Sequence, residues 1–152
     1  MTSSHSLSLK IAAVLWIIWG LVHMFAGVMT MAQDAADAIS AIADGVDPTL
    51  IANDYHPAVG AVLNQHGFNL LWIGTFTVVG GVFIWRRSVT AIFMTAIVGW
   101  VTDVGYFVFM DLGGFVKFVP GTVMTIVSTA AVVLSLWAYF LDLRHQRNGQ
   151  AG

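Results

Sequence analysis

The chain contains no cysteine and no glutamate, and charged residues make up only 9% of its 152 positions. The absence of cysteine excludes disulfides, thiolate metal sites and cysteine redox chemistry. Soluble domains carry about a quarter charged residues, so this chain has too few to cover a globule with a hydrated surface. It also lacks the basic run that nucleic-acid binding requires, and we expect no nucleic-acid partner. The composition points to a protein whose main partner is a lipid bilayer.

Four apolar stretches account for the hydrophobic content of 58%. They cover residues 9–31, 67–85, 88–110 and 120–143, and each approaches the ~20 residues that a helix needs to cross a bilayer. The sequence therefore predicts an all-α membrane protein, with four transmembrane helices in an antiparallel bundle. The whole chain, residues 1–152, is expected to be one integral membrane domain. Small residues such as Gly20, Gly27, Gly74 and Gly99 favour close packing of these helices.

The distribution of cations predicts the orientation of the bundle. Five of the six cations fall on one side if the spans alternate: Lys10, Arg86, Arg87, Arg144 and Arg147. Only Lys117 falls on the other side. The positive-inside rule then places both termini in the cytoplasm. We expect a protein of the bacterial cytoplasmic membrane, with an outer loop at residues 32–66.

The outer loop carries signals for short helices. Residues 33–44 are rich in alanine with isoleucines on one face, which predicts an amphipathic helix at the membrane surface. Gly45 is predicted to cap this helix, and Asp47-Pro48 to start another helical turn. Residues 58–63 are predicted to form a further helical segment that leads into the second span. The loop is thus expected to act as a helical lid, the alternative being a plain connection.

Two ionisable residues within the spans fall at similar depth. At a rise of ~1.5 Å per residue, His23 lies ~20 Å from Lys10, and Asp103 lies ~24 Å from Arg87. An aspartate at membrane depth costs roughly 2.5–3.5 kcal/mol on insertion scales, so it is rarely idle. Alternatively, both residues have purely structural roles, in which Asp103 pairs with a histidine and His23 bonds to a backbone carbonyl.

Residues of the second and third spans extend this polar level. His66 begins the second span at the same end, and Asn69 follows one helical turn later. Trp100 and Tyr106 share a helix face with Asp103 by the three-and-four-residue rule. We expect a polar pocket near the outer face of the membrane, although His66 alternatively faces only water.

Three kinds of chemistry suit such a pocket. The imidazoles of His23 and His66 can ligate a metal or a haem iron, with Asp103 orienting one of them. They can instead relay protons, or the pocket can bind the polar head of an apolar molecule that enters from the lipid. The chain has no phosphate-binding glycine loop, zinc-protease motif or nucleophile elbow to decide between them.

The third span resembles a known family. Residues 99–109, together with the basic turn Arg86-Arg87 and the start of the second span at His66, resemble the styrene oxide isomerase family. These are four-helix membrane proteins that bind haem b at subunit interfaces in trimers. Their ferric iron acts as a Lewis acid that opens an epoxide to an aldehyde. The resemblance covers the second and third spans, about a third of the chain.

The matching positions are Gly99, Trp100 and Tyr106, and the resemblance gives Tyr106 the role of orienting the substrate. The family's haem-ligating histidine is followed six residues later by an asparagine. Here His56 is followed at that distance by Val62 and His66 by Trp72, and Asn69 comes only three residues after His66. The family pattern also has no acid corresponding to Asp103. The resemblance implies a homo-oligomer with haem b, and it leaves His56 and His66 as candidate haem ligands.

These observations lead to one set of expected site residues. The candidate catalytic residues are Tyr106, Asn69 and Asp103; the candidate cofactor-binding residues are His66, His23 and Trp100, of which the two histidines are the candidate metal ligands. The leading expectation is a pocket for a cofactor or an apolar small molecule, with a haem-dependent isomerase as its sharpest form. The alternatives are a non-enzymatic accessory subunit or ligand carrier, which resembles membrane families of the DoxX type by architecture, and a proton-coupled transporter.

Overall fold

The computed structural model describes the backbone of residues 3–150 and the side chains of residues 7–142. Within these limits the chain is all-helical. Its six helices are α1 (Ser3–Ala32), α2 (Ala35–Ile42), α3 (Pro48–Ile51), α4 (Pro57–Trp85), α5 (Val89–Asp111) and α6 (Val123–Gln150). The long helices α1, α4, α5 and α6 contain four segments that are long and apolar enough to cross a membrane. The predicted membrane bundle of four antiparallel helices is confirmed.

The long helices are apolar on their outer faces as well as inside. Phe25 of α1, Phe109 of α5 and Trp137 of α6 are each more than 60% exposed. Such an apolar exterior suits contact with lipid, where no polar surface is needed. Inside the bundle, Trp16 and Trp19 are fully buried. The interior is therefore filled mainly by aromatic rings and small residues.

Glycines bring α1 and α4 into direct backbone contact. A Cβ atom on Gly20 would lie 2.6 Å from the carbonyl oxygen of Gly74, and one on Gly67 would lie 2.8 Å from the carbonyl oxygen of Gly27. Real Cβ atoms do not approach other atoms this closely, so only glycine fits at these positions. The close packing predicted for Gly20, Gly27 and Gly74 is confirmed, and it sets the distance between the two helices that carry His23 and His66.

The helix that forms the second span is longer than predicted. The helical segment predicted at residues 58–63 is confirmed, and it is continuous with the span predicted from residue 67, because α4 runs without interruption from Pro57 to Trp85. His56 caps it by accepting a hydrogen bond on Nδ1 from the N–H of Ala58, at 3.2 Å. Proline in the first helical turn loses nothing, since its missing N–H would have no partner there. His56 is thereby placed in a capping role.

Two π-helical turns interrupt the regular geometry of α5. They cover Ala96–Trp100 and Phe107–Asp111 and flank an α-helical piece at Val101–Tyr106. A π-helical turn takes in an extra residue, so each one rotates the side chains that follow it. The segment Phe118–Thr122, in which Val119 has an extended backbone, contains Pro120 and leads into α6, in keeping with the expected start of the fourth span.

The predicted helical lid is present at one end of the bundle. Asp34 caps α2 by accepting from the N–H of Asp37, and Asp47 caps α3 by accepting from Thr49. The predicted cap at Gly45 was wrong, because α2 ends at Ile42 and Ala43 is its C-cap. The N–H of Gly45 instead donates to the carbonyl of Phe115, at 2.9 Å. We call residues 33–52 the lid and this end of the bundle the lid end.

A second bond ties the lid to the link between α5 and α6. Asp44 Oδ1 accepts from the backbone N–H of Lys117, at 2.7 Å. The opposite end carries the Arg86-Arg87 turn, where Lys10 lies 5.4 Å from the ring centre of Trp85. Lys10 and that turn thus share one end, as alternating spans require. Arg144 and Arg147, which entered the orientation prediction, lie outside the described side chains.

Candidate functional site

A cavity of about 630 Å³ lies below the lid, between α1, α4, α5 and the start of α6. This volume falls within the range of small-molecule sites, which are concave and mostly apolar. We call it the lid pocket. Its walls are largely hydrophobic and include methionines from three helices, and its apolar lining includes Val22, Phe25, Met29, Leu70, Met110 and Met124.

A buried polar cluster forms part of the pocket wall. Asp103 is only 2% exposed, and its Oδ2 accepts a hydrogen bond from the indole N–H of Trp19, at 2.6 Å. His23 stacks on the Trp19 ring with the ring centres 3.6 Å apart. The Ser128 hydroxyl of α6 lies beside the same carboxylate. Helices α1, α5 and α6 thus meet at Asp103, and the convergence predicted for His23 and Asp103 is confirmed.

The hydrogen bonds of His23 determine which ring nitrogen carries hydrogen. Nδ1 lies 2.9 Å from the backbone carbonyl of Trp19. A carbonyl only accepts, so Nδ1 donates and, in the neutral ring, Nε2 has a lone pair and no hydrogen. Nε2 lies 3.8 Å from Asp103 Oδ1, which is longer than a hydrogen bond. Two acceptors therefore face each other across a gap unless a proton or a donor lies between them.

Trp19 was not among the predicted site residues, yet it holds both members of the pair. Its N–H bonds to Asp103, its carbonyl bonds to His23 and its ring supports the imidazole. The signal was present in the sequence, since Trp19 precedes His23 by four residues and shares its helix face. An indole N–H at membrane depth also requires an acceptor.

Tyr106 and His66 also line the lid pocket. The Tyr106 hydroxyl packs against Gly121. His66 lies at the rim, with an exposed side chain. The structure thus brings four of the candidate groups to one cavity: His23, His66, Asp103 and Tyr106.

Two predicted site residues, Asn69 and Trp100, do not line the pocket. Asn69 is turned toward Trp72, whose indole N–H it accepts at 3.2 Å. Trp100 donates to the Thr129 hydroxyl, at 3.1 Å, and is 38% exposed. Trp100 ends the first π-helical turn of α5. Neither residue lines this cavity, so the structure does not bring Asn69 and Trp100 together with the other candidate groups there.

Gln33, at the edge of the lid, was missed as a pocket residue. It lines the cavity, and its Oε1 is buried without a hydrogen-bond partner. A buried carbonyl oxygen without a donor is costly. The position of Gln33 at the end of the first apolar stretch gave no indication of this, because only the folded lid buries it.

The donor set can be compared with what a metal or a haem requires. Among the side chains of residues 7–142, no group of three histidines or acids is close enough to hold a metal ion. His23 suits an axial haem ligand poorly, because Nδ1 is bonded to Trp19 and Nε2 lies next to a carboxylate. His66 has an exposed ring at the pocket rim. A pair of haem-ligating histidines does not fit positions 23 and 66.

Comparison of the chain with protein-family models, with curated proteins and with solved structures gives no match.

Proposed function

We propose that this small membrane protein binds a lipophilic small molecule in the lid pocket. The observation that carries the proposal is a mostly apolar cavity of about 630 Å³ with a paired His23 and Asp103 in its wall. A buried acid at membrane depth is expensive, and such residues usually mark a functional site. The apolar walls supply affinity, and the polar pair orients the bound molecule.

The lid and the membrane favour different routes into this pocket. The lid is held by the bonds Gly45 to Phe115 and Asp44 to Lys117, which close the pocket from the side of the aqueous phase. Phe25 is 67% exposed and also lines the pocket, so its ring borders both the lipid and the cavity. A molecule dissolved in the bilayer reaches the site past Phe25. If the positive-inside rule holds, this entry lies in the outer leaflet.

The proposal is tested by identifying what copurifies with the protein. Gly105 lines the pocket, and a Cβ there would meet no atom within 4 Å. The variant Gly105→Phe therefore starts a large side chain in open space at a residue of the pocket wall. Ala26→Phe adds one from the wall formed by α1. Gly60→Phe is the matched control, because its Cβ also enters open space but outside the pocket.

Protein purified in mild detergent is extracted and analysed by mass spectrometry. We expect a small molecule to be enriched with the wild type and with Gly60→Phe, and to be reduced at least about fivefold with both pocket variants. Equal recovery of every extracted species from all four proteins would contradict the proposal.

Haem-dependent isomerisation remains a second, separate prediction, supported by the resemblance at Gly99, Trp100 and Tyr106. Its test is the absorption spectrum of the purified protein. A Soret band in the wild type that is lost in His66→Ala and kept in His23→Gln would support haem ligated by His66. A colourless protein after expression with excess haem would contradict it. The same samples give the oligomeric state, for which the isomerase resemblance predicts a trimer.

A further inference from the structure

We infer that the lid pocket selects a lipophilic molecule whose polar head is a hydroxyl group, as in an alcohol or a phenol. The hydroxyl binds in the gap between His23 Nε2 and Asp103 Oδ1. This inference rests on the proposed binding function and adds the chemical class of the ligand.

The polar atoms of the pocket wall are mainly acceptors. Thr30 and Thr102 line the cavity, but each hydroxyl already donates to a backbone carbonyl of its own helix, at 2.9 Å and 2.7 Å. The oxygens of both threonines therefore keep only lone pairs for a ligand. Gln33 contributes a buried carbonyl oxygen with no partner. A wall with this excess of acceptors favours a ligand that donates a hydrogen bond.

The gap at Asp103 matches a single hydroxyl oxygen. Nε2 and Oδ1 are 3.8 Å apart, so one oxygen can lie at a hydrogen-bond distance of ~2.8 Å from both atoms. A hydroxyl donates to one of them and accepts from the other, whichever of the two carries the shared proton. Where neither atom carries a proton, the hydroxyl still supplies a donor to one of the two acceptors without bringing a further charge.

Other head groups satisfy this gap less well. An ether or ester oxygen accepts only, so it leaves at least one buried acceptor without a donor. A carboxylate brings a second negative charge next to Asp103, in a site with few charges to offset it. Tyr106 and His66 can each donate and accept a hydrogen bond, so they do not change the preference for a hydroxyl over an ether, an ester or a carboxylate.

The rest of the cavity suits an apolar body. Val22, Leu70 and Phe25 supply rigid walls, and the flexible thioethers of Met29 and Met124 adapt to different shapes. The chemical selectivity thus resides at the Asp103 end, and the hydrocarbon part is recognised mainly by volume.

Three probes with the same apolar body separate the head groups: 4-nonylphenol, its methyl ether 4-nonylanisole, and the 4-nonylbenzoate anion. The full chain is placed in lipid nanodiscs, and binding of tritium-labelled 4-nonylphenol is corrected for uptake by empty nanodiscs. The other two probes are measured as competitors. We expect the ether and the carboxylate to compete at least about tenfold more weakly, in line with the loss of a hydrogen bond to a charged group. The comparison uses the wild type and needs no variant.

The variant Asp103→Asn tests whether the preference for the phenol arises at the gap between His23 and Asp103. The substitution preserves the shape of the side chain and removes its charge. We expect it to reduce the preference for the phenol over the ether to less than about threefold, with Gly105→Phe as the measure of binding outside the pocket. Equal competition by all three probes, with Gly105→Phe blocking each of them, would overturn the hydroxyl selectivity and leave the proposed binding function standing. Binding of no probe above the Gly105→Phe background would overturn both.

Discussion

Replacing Gly74 by alanine is expected to destabilise the bundle by about 1–3 kcal/mol relative to the same replacement at Gly60. Both glycines lie in α4, so the gain in helix propensity, ~0.5–1 kcal/mol for each, cancels in the comparison. Their surroundings differ. A Cβ on Gly74 would lie 2.5 Å from the Gly20 carbonyl oxygen and 2.8 Å from the Met24 nitrogen, whereas one on Gly60 meets no atom within 4 Å.

The magnitude follows from the separation that alanine forces. To reach the 3.0 Å that Cβ contacts require, the backbones of α1 and α4 must move apart by about 0.5 Å at Gly74. A gap of ~0.5–1 Å forfeits a quarter to a half of the dispersion energy of each contact that it opens. The α1–α4 interface also holds Gly20, Gly27 and Gly67, so the movement cannot stay local.

The assay is reversible unfolding by SDS in mixed micelles, followed by circular dichroism. The double variant Gly20→Ala/Gly74→Ala supplies a further check. One separation of the helices relieves both clashes, so the double variant should lose less stability than the sum of the two single variants. If Gly74→Ala is as stable as Gly60→Ala, the reasoning that backbone contact holds α1 to α4 is refuted.

Three further predictions concern single polar contacts. Trp19→Phe removes the indole donor of Asp103 and should cost about 1–3 kcal/mol in the same SDS titration, while a cost below ~0.5 kcal/mol would contradict the role of this bond. Asp44→Ala should speed hydrogen exchange at the Lys117 amide on the order of tenfold, whereas Asp44→Asn keeps an acceptor and should have a smaller effect. Equal exchange rates in both variants would exclude the hydrogen bond from Lys117 to Asp44 as the contact that holds the lid. The pKa of Asp47 is lowered from its ordinary 3.8 by the backbone N–H and hydroxyl that it caps in α3. The stabilisation that the ionised Asp47 gives to α3 is therefore present above pH 3.8 and is lost as the pH falls through the lower pKa of the folded state. Protection of the α3 amides from hydrogen exchange should accordingly drop below pH 3.8 in the wild type and stay unchanged with pH in Asp47→Asn.

The helices could be predicted from the sequence because their signals are local. Length of the apolar stretches identified four spans, the alanine-rich run at residues 33–44 indicated the first lid helix, and Asp47-Pro48 identified the start of the second. The start of α4 was misplaced because residues 58–66 are more polar than the rest of the span. A helix ends where its hydrogen bonding ends, and hydropathy does not report that position.

The site could be predicted only in part. Depth along the helices correctly brought His23 and Asp103 to one level. Depth does not determine rotation, however, and Asn69 turned out to face Trp72. Trp100 bonds to Thr129 of α6, a partner that depends on how α5 packs against α6 and that no local pattern indicates.

The sequence by itself determined that this chain is a four-span membrane protein, because hydropathy and run length act on each segment independently of the others. It also determined which glycines permit close packing and that an acid lies at membrane depth. Only the tertiary structure decided that Trp19 joins His23 to Asp103, that the lid closes over a cavity and that Gln33 lies in its wall. These facts depend on the relative rotation and spacing of packed helices, which the glycine contacts and π-helical turns set together.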